Sequence, residues 1–146
     1  MNFPAGTRVY IDANLWIYLL NPPEDIAKSL KRVFDQVAEG RLVPVTSVLS
    51  WFECLVMPLR LKDEEEKALF DQMFTKTRGL ELLEVTRDVL FVAAELRAAV
   101  QMKTPDAIHL ASAKAAKCDV FLTHDSDLRR ESLREAMTPI VLQGLR

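Results

Sequence analysis

Four carboxylates spread along the chain, Asp12, Glu53, Asp106 and Asp125, are the residues whose types and placement could do chemistry together. Glu53 is the sharpest case. It is the single charged side chain in "SVLSWFECLVM" (47–57), where its helical neighbours Leu49, Val56 and Met57 are apolar and only Ser50 is polar. A charge in such company is costly without a partner. A buried Arg or Lys, a raised carboxyl pKa or a bound cation would each relieve the cost. The cation explains most, because a hard divalent ion turns repulsion among clustered carboxylates into coordination. The other acids also have ordinary uses. Asp12 can start a turn at a strand end, and Asp106 suits the first turn of a helix. Asp125 can open a turn while Asp127 caps "LRRESLREA".

The elements around these acids read as alternating strands and helices. "RVYIDA" is a first strand ending at Asp12, and "NLWIYLLN" is a helical stretch stopped by Pro22 and Pro23. Residues 24–39 carry apolar side chains at helical spacing, with acids in the first turn and Gly40 as the stop. "RLVPVTS" is a second strand whose proline suggests an edge or a strand start. "VLSWFECLVM" begins a buried helix ending near Pro58, and Asp63 caps another helix to about Thr77. "LELLEVT" is a third strand, followed by the helices "RDVLFVAAELRAAVQ" and "TPDAIHLASAKAAKC", the latter with Thr104 at the cap and Pro105 at its first position. "DVFLTHD" is a fourth strand and "PIVLQ" a fifth. This order predicts a parallel α/β sheet with helices on both faces. Ligands of such sheets bind beyond the carboxyl ends of the strands, where strand order reverses. Asp12 and Asp125 fall at those ends, and the helices bearing Asp106 and Glu53 start near the same rim.

Composition bounds the reading. The 146 residues suffice for one substantial core, so a single domain over 1–146 is expected. With 49% hydrophobic and 27% charged residues the chain is of globular type, and no apolar run approaches a membrane span. No secretory leader pattern opens it, so a cytoplasmic location is expected, with Cys54 and Cys118 as small buried hydrophobes. A net charge of −2 means that a nucleic-acid partner would have to be engaged through local basic patches and bound cations. Trp16, Trp51 and Tyr18 read as core side chains, and His109, at i+3 from Asp106, as a packed, hydrogen-bonded residue rather than a catalyst.

The opening "VYIDANLWIYLL", the segment "SVLSWFE" and the block "TPDAIHLASAKAAKCDVFLTHDSDL" together resemble PIN-domain endoribonucleases, most closely the VapC-like toxins of prokaryotic toxin–antitoxin pairs. The resemblance runs nearly end to end. It implies a three-layer α/β/α fold around a mostly parallel five-stranded sheet. It also implies a hydrolase that uses Mg²⁺ or Mn²⁺ to cut RNA, leaving a 5′-phosphate and a 3′-hydroxyl. Asp12, Glu53, Asp106 and Asp125 would be the metal-holding and catalytic acids. Asn14 and Thr123 would orient carboxylates or water, and Asp127 could share the role of Asp125. Oxygen ligands without a Cys/His cluster agree with Mg²⁺ or Mn²⁺ rather than zinc. Lys103, Arg129, Arg130 and Arg134 are the candidates for gripping the RNA backbone. A homodimer and a cognate antitoxin are the implied protein partners, with the "LFDQMF" and "LFVAAEL" faces as possible surfaces for them. Two other readings compete. One is a catalytically silent binding module on the same fold, which the four acids argue against. The other is a phosphotransfer or phosphatase domain, whose D-x-D or partner lysine is missing here.

Overall fold

The computed structural model describes residues 2–146. Five strands, β1 (Thr7–Ile11), β2 (Leu42–Ser47), β3 (Glu81–Leu83), β4 (Val120–Thr123) and β5 (Val141–Gly144), form one sheet in the order β3-β2-β1-β4-β5. Every pairing is parallel. Between and after them run α1 (Ala13–Tyr18), α2 (Ala27–Ala38), α3 (Val48–Arg60), α4 (Glu64–Lys76), α5 (Arg87–Ala99), α6 (Thr104–Ala115) and α7 (Glu131–Met137), with a 3₁₀ turn at Ser126–Arg129.

Strand alternation divides the core in two. Val9, Ile11, Val120 and Leu122 point to one face, where they meet Leu15, Trp16, Leu30, Val33, Cys54 and Phe70 from α1 to α4. Tyr10, Val45, Phe121 and Leu142 point to the other, against Val89, Ala93, Ala107, Leu110 and Leu133 from α5 to α7. The result is the three-layer α/β/α arrangement expected. Trp16 is fully buried, its ring 4.9 Å from that of Phe74 and its Nε1–H donating to the Ile11 carbonyl at 3.1 Å. Both cysteines are buried free thiols. Among the described residues no helix is long and apolar enough to cross a membrane.

Several local expectations change. β2 is interior to the sheet despite Pro44, because β3 pairs with β2 only from Val45 onward and leaves the proline's stretch of β2 without a strand on that side. β3 itself has three residues, so most of "LELLEVT" is loop. α2 begins at Ala27, and Glu24 and Asp25 precede it instead of sitting in its first turn. Its end is as expected: Glu39 is the C-cap, and Gly40 takes the left-handed φ of 72°. α3 continues through Pro58 to Arg60. The N-cap of α6 is Lys103 rather than Thr104, whose hydroxyl instead accepts from Arg97 Nη1 at 2.8 Å. Asp63 caps α4 as expected, accepting from Glu66 N at 3.0 Å. α7 is capped at Arg130, not at Asp127. Trp51 lies on the surface at 41% exposure, donating to Asp71 Oδ1 at 2.8 Å. Tyr18 is half-buried, edge-on to His124 with ring centroids 5.7 Å apart.

Candidate active site

The chain turns outward in both directions from the β1/β4 pair, so strand order reverses there and the crevice at the carboxyl ends of these two strands is where a ligand belongs. Asp12 follows the last residue of β1, and its N–H donates to the Leu122 carbonyl at 3.0 Å, extending the ladder to β4. Its side chain is fixed from two sides. Oδ1 accepts from Ala13 N at 2.8 Å, which caps α1, and Oδ2 accepts from Thr123 Oγ1 at 2.7 Å. Thr123 Oγ1 in turn accepts from the Asp125 N–H at 3.0 Å. One hydroxyl therefore ties the acid of β1 to the backbone of the acid beyond β4. Burial pushes the Asp12 carboxyl above the ordinary aspartate range, against the pull of His109, Thr123 and the Ala13 N–H, while the Glu53 charge pushes it further up.

Asp106 lies in the first turn of α6. Burial first, then the charges of Asp12 and Asp125, push its carboxyl up to about 6, with His109 and Lys103 opposing. Asp106, Asp125 and Asp127 line a cavity of about 430 Å³ together with Arg97, Lys103 and Arg130. Asp125 Oδ1 accepts from Asp127 N at 2.9 Å and starts the 3₁₀ turn.

Glu53 does have a partner, and it is neither Arg nor Lys. Its Oε1 lies 2.7 Å from Nε2 of His109, a residue 1% exposed whose Nε2 is also 3.9 Å from Asp12 Oδ1. His109 Nδ1 lies 2.7 Å from the Tyr10 hydroxyl. Burial works against the charged imidazole, but the Glu53 hydrogen bond and the charges of Asp12, Glu53 and Asp106 together raise its pKa.

The four sequence-predicted acids, with Asp127 as a fifth, thus fall into two adjoining groups. Glu53 and Asp12 meet around His109. Asp106, Asp125 and Asp127 face the cavity, and Asp12 couples to Asp106 across the two. Among the described residues no three His, Cys, Asp or Glu side chains stand close enough to enclose a metal ion by themselves. Asn14 lies in the first turn of α1, and its buried Oδ1 has no hydrogen-bond partner among the described residues. Of the basic candidates, Lys103 and Arg130 line the cavity. Arg129 instead packs against Gly144, where any Cβ would collide with its guanidinium, and Arg134 lines a separate groove beside residues 138–143. Arg97, which no motif in the sequence marks, also lines the cavity and holds the Met102 carbonyl through Nε at 3.0 Å. The link from His109 to Glu53 leaves a single trace in the sequence, the i, i+3 spacing of His109 from Asp106.

The chain matches the PIN domain family over residues 9–132, from within β1 into α7 and across all four acids. Its fold is similar to that of a chain in the structure of VapBC2 from Rickettsia felis bound to a DNA fragment from their promoter. That likeness has a TM-score of 0.68 at 14% identity and covers 96% of this chain and 100% of that one. It is also similar to a chain of a toxin–antitoxin complex from Klebsiella pneumoniae (TM-score 0.65, 18% identity, 91% of this chain and 95% of that one). A third likeness is to Mycobacterium tuberculosis VapC20, a Sarcin-Ricin loop cleaving toxin (TM-score 0.65, 18% identity, 82% and 91%). No curated protein sequence is similar to the chain at a significant level. With the family match spanning most of its length and every acid of the site, the chain belongs to the PIN domain family.

Proposed function

We propose that residues 1–146 form a single PIN domain that acts as a Mg²⁺- or Mn²⁺-dependent endoribonuclease, the toxin of a toxin–antitoxin pair. The observation that carries this reading is the stacking of negative charge at the β1/β4 switch point, where Asp12 and Asp106 are both pushed up by burial and by neighbouring carboxylates. Such a cluster is self-repelling until a cation neutralises it. The donors fit a hard ion: they are carboxylate oxygens, supplemented by the unpartnered buried Oδ1 of Asn14. That no three acids enclose an ion alone is compatible with Mg²⁺, which keeps several waters and takes one or two carboxylates.

Asp12, Asp106 and Asp125 would hold the ion or ions, some of them through water, with Glu53 completing the shell or orienting the nucleophile and Asp127 beside it. Bound there, the ion would supply charge neutralisation for a phosphodiester and a lowered pKa for water. The side chains do the rest. Thr123 fixes the Asp12 carboxylate and the Asp125 backbone through one hydroxyl. Lys103 and Arg130, exposed at the cavity, would grip the phosphate backbone. Of the two apolar faces, "LFDQMF" turns Phe70 and Phe74 into the core, whereas Leu90 and Phe91 of "LFVAAEL" on α5 are 45% and 67% exposed; these, with the exposed Phe52, Met57 and Leu59 on α3, would give apolar surface for a second copy and an antitoxin. Similar solved structures are toxin–antitoxin complexes, which supports that assignment. We place the protein in the cytoplasm, in keeping with its two free thiols.

The test is Asp12→Asn. It keeps an oxygen for the Ala13 N–H, so the variant should fold, bind Mn²⁺ poorly and lose cleavage of RNA. Full activity in the variant, or undiminished cleavage by the wild type in excess EDTA, would refute the mechanism. Absence of both Mn²⁺ binding and cleavage in the wild type would favour the silent binding module.

A further inference from the structure

Glu53 sits on α3, and the acids it must work with sit on β1, α6 and beyond β4. One buried side chain spans the gap. His109 projects from α6 three residues beyond Asp106, is 1% exposed, and places Nε2 2.7 Å from Glu53 Oε1 and 3.9 Å from Asp12 Oδ1. Its other nitrogen lies 2.7 Å from the hydroxyl of Tyr10, which is fully buried two residues before Asp12. The Tyr10 hydroxyl reaches Ser47 Oγ at 3.1 Å, and Ser47 is the N-cap of α3, accepting from Leu49 N at 3.3 Å. The polar chain therefore starts at the cap of the helix that carries Glu53, passes through β1 and α6, and returns to Glu53 itself.

The chemistry of the two ends settles where the ring proton stands. A carboxylate only accepts, so the nitrogen 2.7 Å from it must carry hydrogen. The Tyr10 hydroxyl has one proton: donated to Ser47 Oγ, it leaves the oxygen to accept from an Nδ1–H, and turned to Nδ1 it meets that nitrogen's lone pair instead, so Tyr10 satisfies Nδ1 in either form. The Nε2–H toward Glu53 is thus kept in the neutral and the charged ring alike. Glu53, whose side chain retains 31% of its exposure, would otherwise be free to swing toward solvent.

We propose that His109, locked by Tyr10, is a positioning residue that holds Glu53 beside Asp12 and so recruits it to the cation site. The inference deepens the reading of the chain as a metal-dependent nuclease and rests on it. His109 touches neither substrate nor ion; it acts through Glu53. Outer hydrogen-bond partners of ligating side chains typically contribute about 10- to 100-fold to metal affinity.

The experiment is Mn²⁺ titration of the full chain without RNA, followed by calorimetry or the electron paramagnetic resonance of the free ion. His109→Gln puts an amide N–H where Nε2 stands, and should bind Mn²⁺ close to wild type. His109→Asn puts its amide near Nδ1 instead, and His109→Leu offers no donor; both should bind about 10- to 100-fold more weakly. In a Glu53→Ala background His109→Leu should cost nothing further, because the side chain it positions is gone. A full loss in that background would overturn the proposal, as would wild-type affinity in His109→Leu. Should the Leu variant not fold, equal affinity of the Gln and Asn variants overturns it instead. Wild-type protein that binds no Mn²⁺ would bring down the nuclease reading and this inference together, whereas intact binding with an indifferent His109 would bring down this inference alone.

Discussion

Substituting Asp106 by Asn tests whether the acids truly repel one another in the metal-free protein. In the folded state the Asp106 carboxyl titrates at about 6 against an ordinary 3.8, chiefly through burial and then through Asp12 and Asp125. At 1.36 kcal/mol per tenfold change in acidity, that difference sets an upper bound of about 3 kcal/mol on what the ionised carboxylate costs the fold. The side chain is only half-buried, and solvent screening reduces the figure to about 1–1.5 kcal/mol. The sign follows from proton linkage. Between the unfolded and folded pKa values the native state binds more protons, so this group's destabilisation is full above about pH 6 and fades as the pH falls toward 4. In EDTA at pH 7.5, Asp106→Asn should therefore melt above the wild type, by about 3–6 °C for a chain of this size. The advantage should shrink to nearly nothing near pH 4. Saturating Mn²⁺ should reverse the order, because an ion at a hundredfold excess over its dissociation constant stabilises the wild type by about 2.7 kcal/mol and the variant much less. Scanning calorimetry at the two pH values, with and without Mn²⁺, reads all four quantities. A variant that melts below the wild type in EDTA at pH 7.5, or a gap insensitive to pH, would refute the picture of a repelling acid cluster.

Other consequences can be checked more simply. Thr123→Val removes the donor to Asp12 Oδ2 and the acceptor of the Asp125 N–H, so urea denaturation should show a loss of about 1–3 kcal/mol, and cleavage should fall with it. Trp16→Ala empties a fully buried site and removes one of two side-chain donors to the Ile11 carbonyl, the Thr46 hydroxyl remaining at 2.9 Å; the same measurement should give about 3–5 kcal/mol, chiefly from the cavity. Glu81→Gln breaks the paired contacts of its carboxylate with Arg8 Nη1 and Nη2, at 2.9 and 2.6 Å. Both partners are partly exposed, so the cost should stay below about 1 kcal/mol, with faster amide exchange in β3. Because the Arg8 hydrogen bond holds the Glu81 carboxyl below its ordinary range, that contribution should be present at neutral pH and fade in acid.

The sequence by itself determined the architecture and the addresses of the acids. Strand and helix periods are local properties, and so is the placing of Asp12 and Asp125 at strand ends and of Asp106 in a helical first turn. Together with the rule that parallel sheets bind ligands where their order reverses, they put a site at one rim before any contact was known. The sequence also registered that Glu53 needed a partner, since an isolated charge among apolar residues is costly wherever it lies. Its partner's identity was not local information. His109 and Glu53 are 56 residues apart and Thr123 and Asp12 are 111 apart, so only the approach of α6 to α3 decides that the first pair meets, and only the pairing of β4 with β1 that the second does. The same holds for the basic residues: Arg129 and Arg130 are neighbours in sequence, yet one packs against Gly144 and the other faces the acids. Pro44 could sit inside the sheet because β3 stops short of it, and Trp51 lies outward although its neighbours are apolar. Local pattern fixes which side chains can reach a rim; which of them touch there is set by how whole elements pack.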